Sequence, residues 1–183
     1  MKLIESLGYI SGVYTPLMQR LLQHDNSLDS FHHGLASSRE TVKAATTRSA
    51  SFDQQKRKIL VQALNKQYEH IATDAHIRKQ IDLLAKPNTV TVTTGHQLNI
   101  FTGPLFFWYK ILDVINMVEQ LQKEDTTNHY VPVFWMASED HDFEEINHFF
   151  LGEQKVRWEA AAGGPVGRMN TKGLDAVFDT LIP

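Results

Sequence analysis

Two clusters of polar residues each follow a run of strand-forming residues. Gly95-His96-Gln97-Leu98-Asn99-Ile100-Phe101-Thr102-Gly103-Pro104 comes after Thr89–Thr94, and Ser138-Glu139-Asp140-His141-Asp142 comes after Val131–Ala137. Open α/β sheets bind ligands outside the carboxyl ends of their strands, so these clusters are where chemistry is expected. In the first, Gly95 permits a sharp turn and Thr102-Gly103-Pro104 suits a helix entry, which leaves backbone N–H groups free. A helix amino terminus carries roughly half a positive charge; with His96, Gln97, Asn99 and Thr102 it could hold a phosphate or carboxylate, and Lys110 could add charge. The plainer alternative is a connection whose side chains satisfy their own loop, with Lys110 paired to Asp113 three residues on. The segment is neither a Walker loop nor a G-x-G-x-x-G fingerprint.

The second cluster is denser. Glu139, Asp140, His141, Asp142, Glu144 and Glu145 crowd together after the strand, and their repulsion requires a cation or hydrogen-bond donors nearby. His141, with an ordinary pKa of about 6.5, could serve as acid, base or electrostatic clamp. A solvated acidic helix start is the alternative, because Asp and Glu favour first turns. A metal reading rests on the Glu-x-x-His pair Glu145 and His148 and on His141 with Glu144. Matching helices are not evident, and H-E-x-x-H fails because position 145 is Glu. No metal site is therefore expected, and a hydrolase using His141, Glu145 and His148 is a weaker alternative.

The elements that must position these clusters follow from the rest of the chain. Its 183 residues are 42% apolar, enough for one domain with a real core. A net charge of -3 without long basic runs argues against nucleic acid as partner, and the lack of cysteine excludes disulfides and thiolate chemistry. Glu5 interrupts the Met1–Ser6 start of any signal peptide and no run spans a membrane, so a cytoplasmic location is expected. After turn signals at Gly8, Gly12, Pro16 and Gly34, Ser51-Phe52-Asp53-Gln54 has the form of a capping box. The spacing of Ile59, Leu60, Ala63, Leu64, Tyr68 and Ile71 predicts a helix after it. Arg57 and His70 would lie on its solvated face. Thr73-Asp74 should cap another helix, ended by Pro87. Thr89–Thr94 reads as a strand stopped by Gly95. Leu105–Leu121 reads as a largely buried helix with a polar stripe of Lys110, Asp113, Asn116 and Gln120. Asp125–Asn128 reads as a polar loop and Val131–Ala137 as a buried strand. The β-loop-α-β unit should be parallel, placing both clusters at one sheet edge.

Val92–Leu105, Tyr109-Lys110 and Val131–Ile146, in that order and separation, resemble the bacillithiol biosynthesis cysteine-adding enzyme family. The resemblance extends to the Lys56–Tyr68 helix and to Gly164-Pro165-Val166-Gly167-Arg168-Met169. It implies an α/β, Rossmann-like parallel sheet related to class I aminoacyl-tRNA synthetases and nucleotidyltransferases, preceded by a helical segment. Residues 1–87 would be that segment, and 88–183 the first, incomplete part of the core with an unpaired edge. Family members are longer and dimerise through a coiled coil; they join cysteine to the amino group of glucosaminyl-malate. The resemblance implies ATP with Mg as co-substrate, no tightly bound cofactor, small-molecule partners, and no nucleic acid or membrane. Gly95, His96, Gln97, Asn99, Thr102, Gly103 and Lys110 would face the nucleotide; Ser138, Glu139, Asp140, His141 and Asp142 would line the same cavity, the last three as catalytic residues. Arg168 would bind the malate carboxylate. His96 stands where many relatives have Gln, which suits hydrogen bonding better than proton transfer. An inactive nucleotide- or sugar-binding fragment is the main alternative.

Overall fold

The computed structural model describes residues 14–32, 37–161 and 163–181. Met1–Ser6 and the turn signals at Gly8, Gly12 and Gly34 lie outside them. Two compact units divide between Thr47 and Arg48. In the first, α1 (Pro16–Leu22) starts at Thr15, whose hydroxyl accepts from the Met18 N–H at 3.3 Å. A short 3₁₀ turn, Asn26–Leu28, follows, and α2 spans Ser38–Ser51.

The second unit takes in the last turn of α2 from Arg48 and continues with α3 (Gln54–Gln67) and α4 (Ala75–Leu83). Ser51 ends α2 rather than capping α3. Asp53 is the cap, its carboxylate accepting from Gln55 N–H at 2.7 Å, because a carboxylate serves orphan donors better than a hydroxyl already bonded to Arg48 O. Asp74 caps α4 as its sequence suggests, accepting from Ile77 N–H at 2.9 Å. Arg57 is not on a solvated face: it is 5% exposed and donates to the carbonyls of Leu84 (3.2 Å), Pro87 (3.2 Å) and Thr89 (2.8 Å). The chain end of α4 exposes carbonyls that no helix satisfies, and the guanidinium fork supplies their donors. His70 is exposed.

β1 (Thr89–His96) and β2 (His129–Met136) pair in parallel, in register from Thr89 opposite His129 to His96 opposite Met136. Pairing with β2 carries β1 through Gly95, which does not stop it. α5 (Leu105–Glu124) crosses between them and packs on both strands. At the amino-terminal end of the sheet, Asp125–Asn128 is the polar loop its sequence suggests, with Thr126 and Thr127 exposed and its two ends buried in a network: Asp125 accepts from Tyr130 Oη and Asn128 Nδ2, each at 2.7 Å, and from Thr127 N–H at 2.8 Å.

α5 is not largely buried. Among its residues only Leu121 is buried, while Leu105, Tyr109, Leu112 and Met117 stand 47–68% exposed. β2 likewise ends exposed, at Trp135 and Met136. A two-stranded sheet covers one side of a helix that is apolar around most of its circumference.

The remaining chain forms a one-turn helix α6 (Phe143–Ile146), an antiparallel pair β3 (His148–Leu151) and β4 (Gln154–Arg157), a 3₁₀ turn Val166–Arg168, and α7 (Leu174–Asp179). These enclose one core of Ile100, Phe143, Ile146, Val156, Trp158, Val166 and Val177. Ile100 belongs to the loop after β1, Phe143 and Ile146 to the segment after β2, and Val166 to the 3₁₀ turn. Burial of these apolar residues draws the three polar segments together.

Candidate ligand site at the sheet edge

The parallel pairing places Gly95-His96 and Trp135-Met136 side by side, so both polar segments leave the sheet at the same edge. The turn after β1 is unusual in its backbone. Phe101 (φ 47°), Thr102 (φ 72°) and Gly103 (φ 64°) are consecutive left-handed residues, and a β-branched threonine there is strained. Gly103 is required twice over, since a Cβ would fall 2.6 Å from Asn99 Cβ. The backbone N–H groups of Leu98 to Thr102 donate to no other backbone group among the described residues, whereas Gly103 N–H donates to Ile100 O at 3.0 Å. Free N–H groups in a left-handed turn form an anion-binding concavity. α5 begins beside it at Pro104 with no side-chain cap.

His96, Gln97 and Asn99 are arranged by one another. Asn99 Nδ2 donates to Gln97 O at 3.1 Å and lies 3.0 Å from His96 Nδ1. His96 Nδ1 also lies 3.1 Å from Gln97 O, so the imidazole, the Asn99 amide and the loop carbonyl form one close group. Nε2 faces Glu145 Oε1 at 3.3 Å, and Gln97 Nε2 donates to Glu145 Oε2 at 2.7 Å. Phe106 and Phe107 meet the imidazole edge-on at 5.0 and 5.9 Å. Lys110 reaches back to Gly95 O at 3.1 Å instead of pairing with Asp113.

In the second segment the carboxylates have structural partners. Glu139 Oε1 accepts from Trp135 Nε1 at 3.4 Å; Asp140 accepts from the His141 N–H at 2.6 Å and the Asp142 N–H at 3.3 Å; Asp142 caps α6, accepting from Glu145 N–H at 3.1 Å. His141 is exposed, and its imidazole has no hydrogen-bond or ion-pair partner among the described residues. Ser138 receives the third segment: Gly167 N–H donates to Ser138 O at 2.9 Å and Val166 N–H to Asp140 O at 2.7 Å. A Cβ on Gly167 would lie 2.6 Å from Ser138 Cβ, so only glycine allows this approach. Arg168, next in sequence, is exposed beside this junction.

The sequence-predicted residues thus fall into two groups. His96, Gln97 and Asn99 form one hydrogen-bonded group, and Ser138 and Asp140 meet the Arg168 turn. The side chains of Asp140, His141 and Asp142 make no hydrogen bond to the first loop among the described residues. Glu145 joins the two segments, a role its sequence context does not show; the clue is a carboxylate following a capped first turn near donor-rich His96-Gln97. No three His, Asp or Glu side chains among the described residues are placed to hold a metal ion.

A parallel β-α-β unit with polar loops gathered at its carboxyl edge defines a Rossmann-like α/β domain, a fold in which that edge is the candidate place for a ligand. Residues 4–183 match the family model for bacillithiol biosynthesis BshC, N-terminal Rossmann-like domain, and the chain belongs to that family. It is 41% identical over 92% of its length to a protein of Flavobacterium johnsoniae named "Putative cysteine ligase BshC". It is also 43% identical, over 92% of its length, to the protein of that name from Christiangramia forsetii. In both comparisons the match covers 32% of the relative, so the chain spans about a third of the length of these relatives.

Proposed function

We propose that this domain serves a ligase that adds cysteine to glucosaminyl-malate in bacillithiol biosynthesis, with ATP and Mg as co-substrate. The observation that carries the reading is the meeting of the post-β1 and post-β2 segments at one sheet edge, in a chain whose family relatives bear the cysteine ligase name. The cysteine carboxylate attacks the α-phosphorus of ATP and pyrophosphate leaves. The amine of glucosaminyl-malate then attacks the acyl carbon, the bond to AMP breaks, and the amine loses a proton. The free N–H groups of the left-handed turn suit phosphate oxygens, with Thr102 and the start of α5 beside them. His141 is free to act on the amine or on sugar hydroxyls, Asp140 and Asp142 holding the backbone around it. Arg168, exposed beside Ser138, suits the malate carboxylate.

The test is a turnover assay with cysteine, glucosaminyl-malate and Mg·ATP, following AMP, pyrophosphate and the amide product in the full-length protein. His141→Ala should lower the rate about a hundredfold, within the ordinary range for losing an acid or base. An unchanged rate removes His141 from the chemistry, and ATP binding without any product favours the binding-module alternative.

A further inference from the structure

We propose that Glu145, with Gln97, forms a recognition site for a primary ammonium group, that of an amino acid or an amino sugar. The inference rests on the preceding reading of the sheet edge as a substrate site and names the substrate group one part of it takes. Glu144 is bound through both oxygens to Arg157, each at 2.8 Å. Asp140 and Asp142 are engaged by backbone N–H groups, and Glu139 by the Trp135 indole. Glu145 differs: among the described residues no Lys or Arg pairs with it, and its two oxygens face His96 Nε2 at 3.3 Å and accept from Gln97 Nε2 at 2.7 Å. These contacts fix the orientation of the carboxylate. Its side chain is 46% exposed, so a ligand can approach.

A second observation lies beside it. Gln97 is 7% exposed, and its Oε1, on the same amide carbon as the nitrogen bound to Glu145, is buried with no hydrogen-bond partner. A buried acceptor without a donor is destabilising, and a ligand N–H would satisfy it. One carboxylate and one amide oxygen are too few for the shell of a hard divalent cation, and their charge repels phosphate. An ammonium carries three donors and a positive charge, which matches both. The edge then divides into an anion side at the left-handed turn and a cation side at Glu145.

The test uses the 183-residue chain labelled with ¹⁵N, following the Gln97 side-chain amide and the His96 imidazole. L-cysteine is compared with 3-mercaptopropionate, and glucosamine with glucose; each pair differs at the amine. Saturable shifts are expected with cysteine, glucosamine or both, and the responding pair tells which amine the site takes. The deaminated partner should bind at least about tenfold more weakly, as should the amine to Glu145→Gln, while Glu145→Asp and Glu144→Gln retain binding within a few-fold. Equal binding of deaminated compounds, wild-type binding by Glu145→Gln in a variant that melts normally, or no shift with either amine would overturn the proposal. A parallel Mg·ATP titration separates the two readings. Nucleotide binding without an amine response sinks only the ammonium site. An amine response without nucleotide binding sinks the ATP-dependent reading and leaves this one standing.

Discussion

At the scale of single residues, Asn99 holds the turn after β1 together: its Nδ2 reaches both His96 Nδ1 and Gln97 O, and His96 in turn faces Glu145. Gly103 makes that possible. Gly103→Ala brings a Cβ against Asn99 and strains a φ of 64°, and is expected to cost about 1–3 kcal/mol, read by urea unfolding. The His96 imidazole ¹⁵N signals should shift with it. His96, Gln97 and Asn99 were legible as functional candidates because donor-rich residues directly followed a strand-like run. Glu145 was not: it is one acid among several, and its partners His96 and Gln97 are brought to it by the fold. Arg57 was misread for a related reason, since a helical pattern does not reveal that the carbonyls of Leu84, Pro87 and Thr89 lie within reach.

At the scale of elements, Arg57 joins α3 to the end of α4 and the start of β1. Arg57→Met keeps much of the apolar stem but leaves those carbonyls without donors, and about 3 kcal/mol of stability should be lost in denaturant titrations. Asp125 joins the end of α5 to β2. Burial pushes its carboxyl up, but the hydrogen bonds from Tyr130, Asn128 and Thr127 outweigh this and bring its pKa down to about 2. A lowered folded pKa stabilises above the unfolded value of about 3.9, and that stability fades as pH falls from there through 2. About 2 kcal/mol should vanish across that window, and Asp125→Asn should remove this part of the pH dependence in acid unfolding curves. The long helix gives a further contrast. Leu112→Ala should cost less than about 1 kcal/mol because Leu112 is half exposed, whereas Leu121→Ala, at 2% exposure, should cost about 2–5. The apolar run identified α5 as a helix, but burial depends on what packs around it, and periodicity carries no record of that. The short strands β3 and β4, four residues each, are too brief to show a period.

At the scale of the whole molecule, the candidate site is assembled because three polar segments each contribute apolar residues to one core. Ile100, Phe143, Ile146 and Val166 were visible in the sequence, but their meeting depends on the Trp158 and Val156 wall supplied by the β3–β4 segment. The parallel sheet and the gathering of both polar loops at one edge were legible from β-branched strands flanking a long apolar helix; the attachment of the Arg168 turn to Ser138 was not, because it depends on the close approach that Gly167 allows in the fold. The central claim is that the gathered loops bind the nucleotide and substrates of cysteine addition. Its most direct test is an amide-resolved titration of the chain with Mg·ATP. Saturable shifts should concentrate at Leu98–Phe106 and at the adjoining Ser138–Asp142 segment. Shifts centred elsewhere, or none at millimolar nucleotide, would contradict the claim.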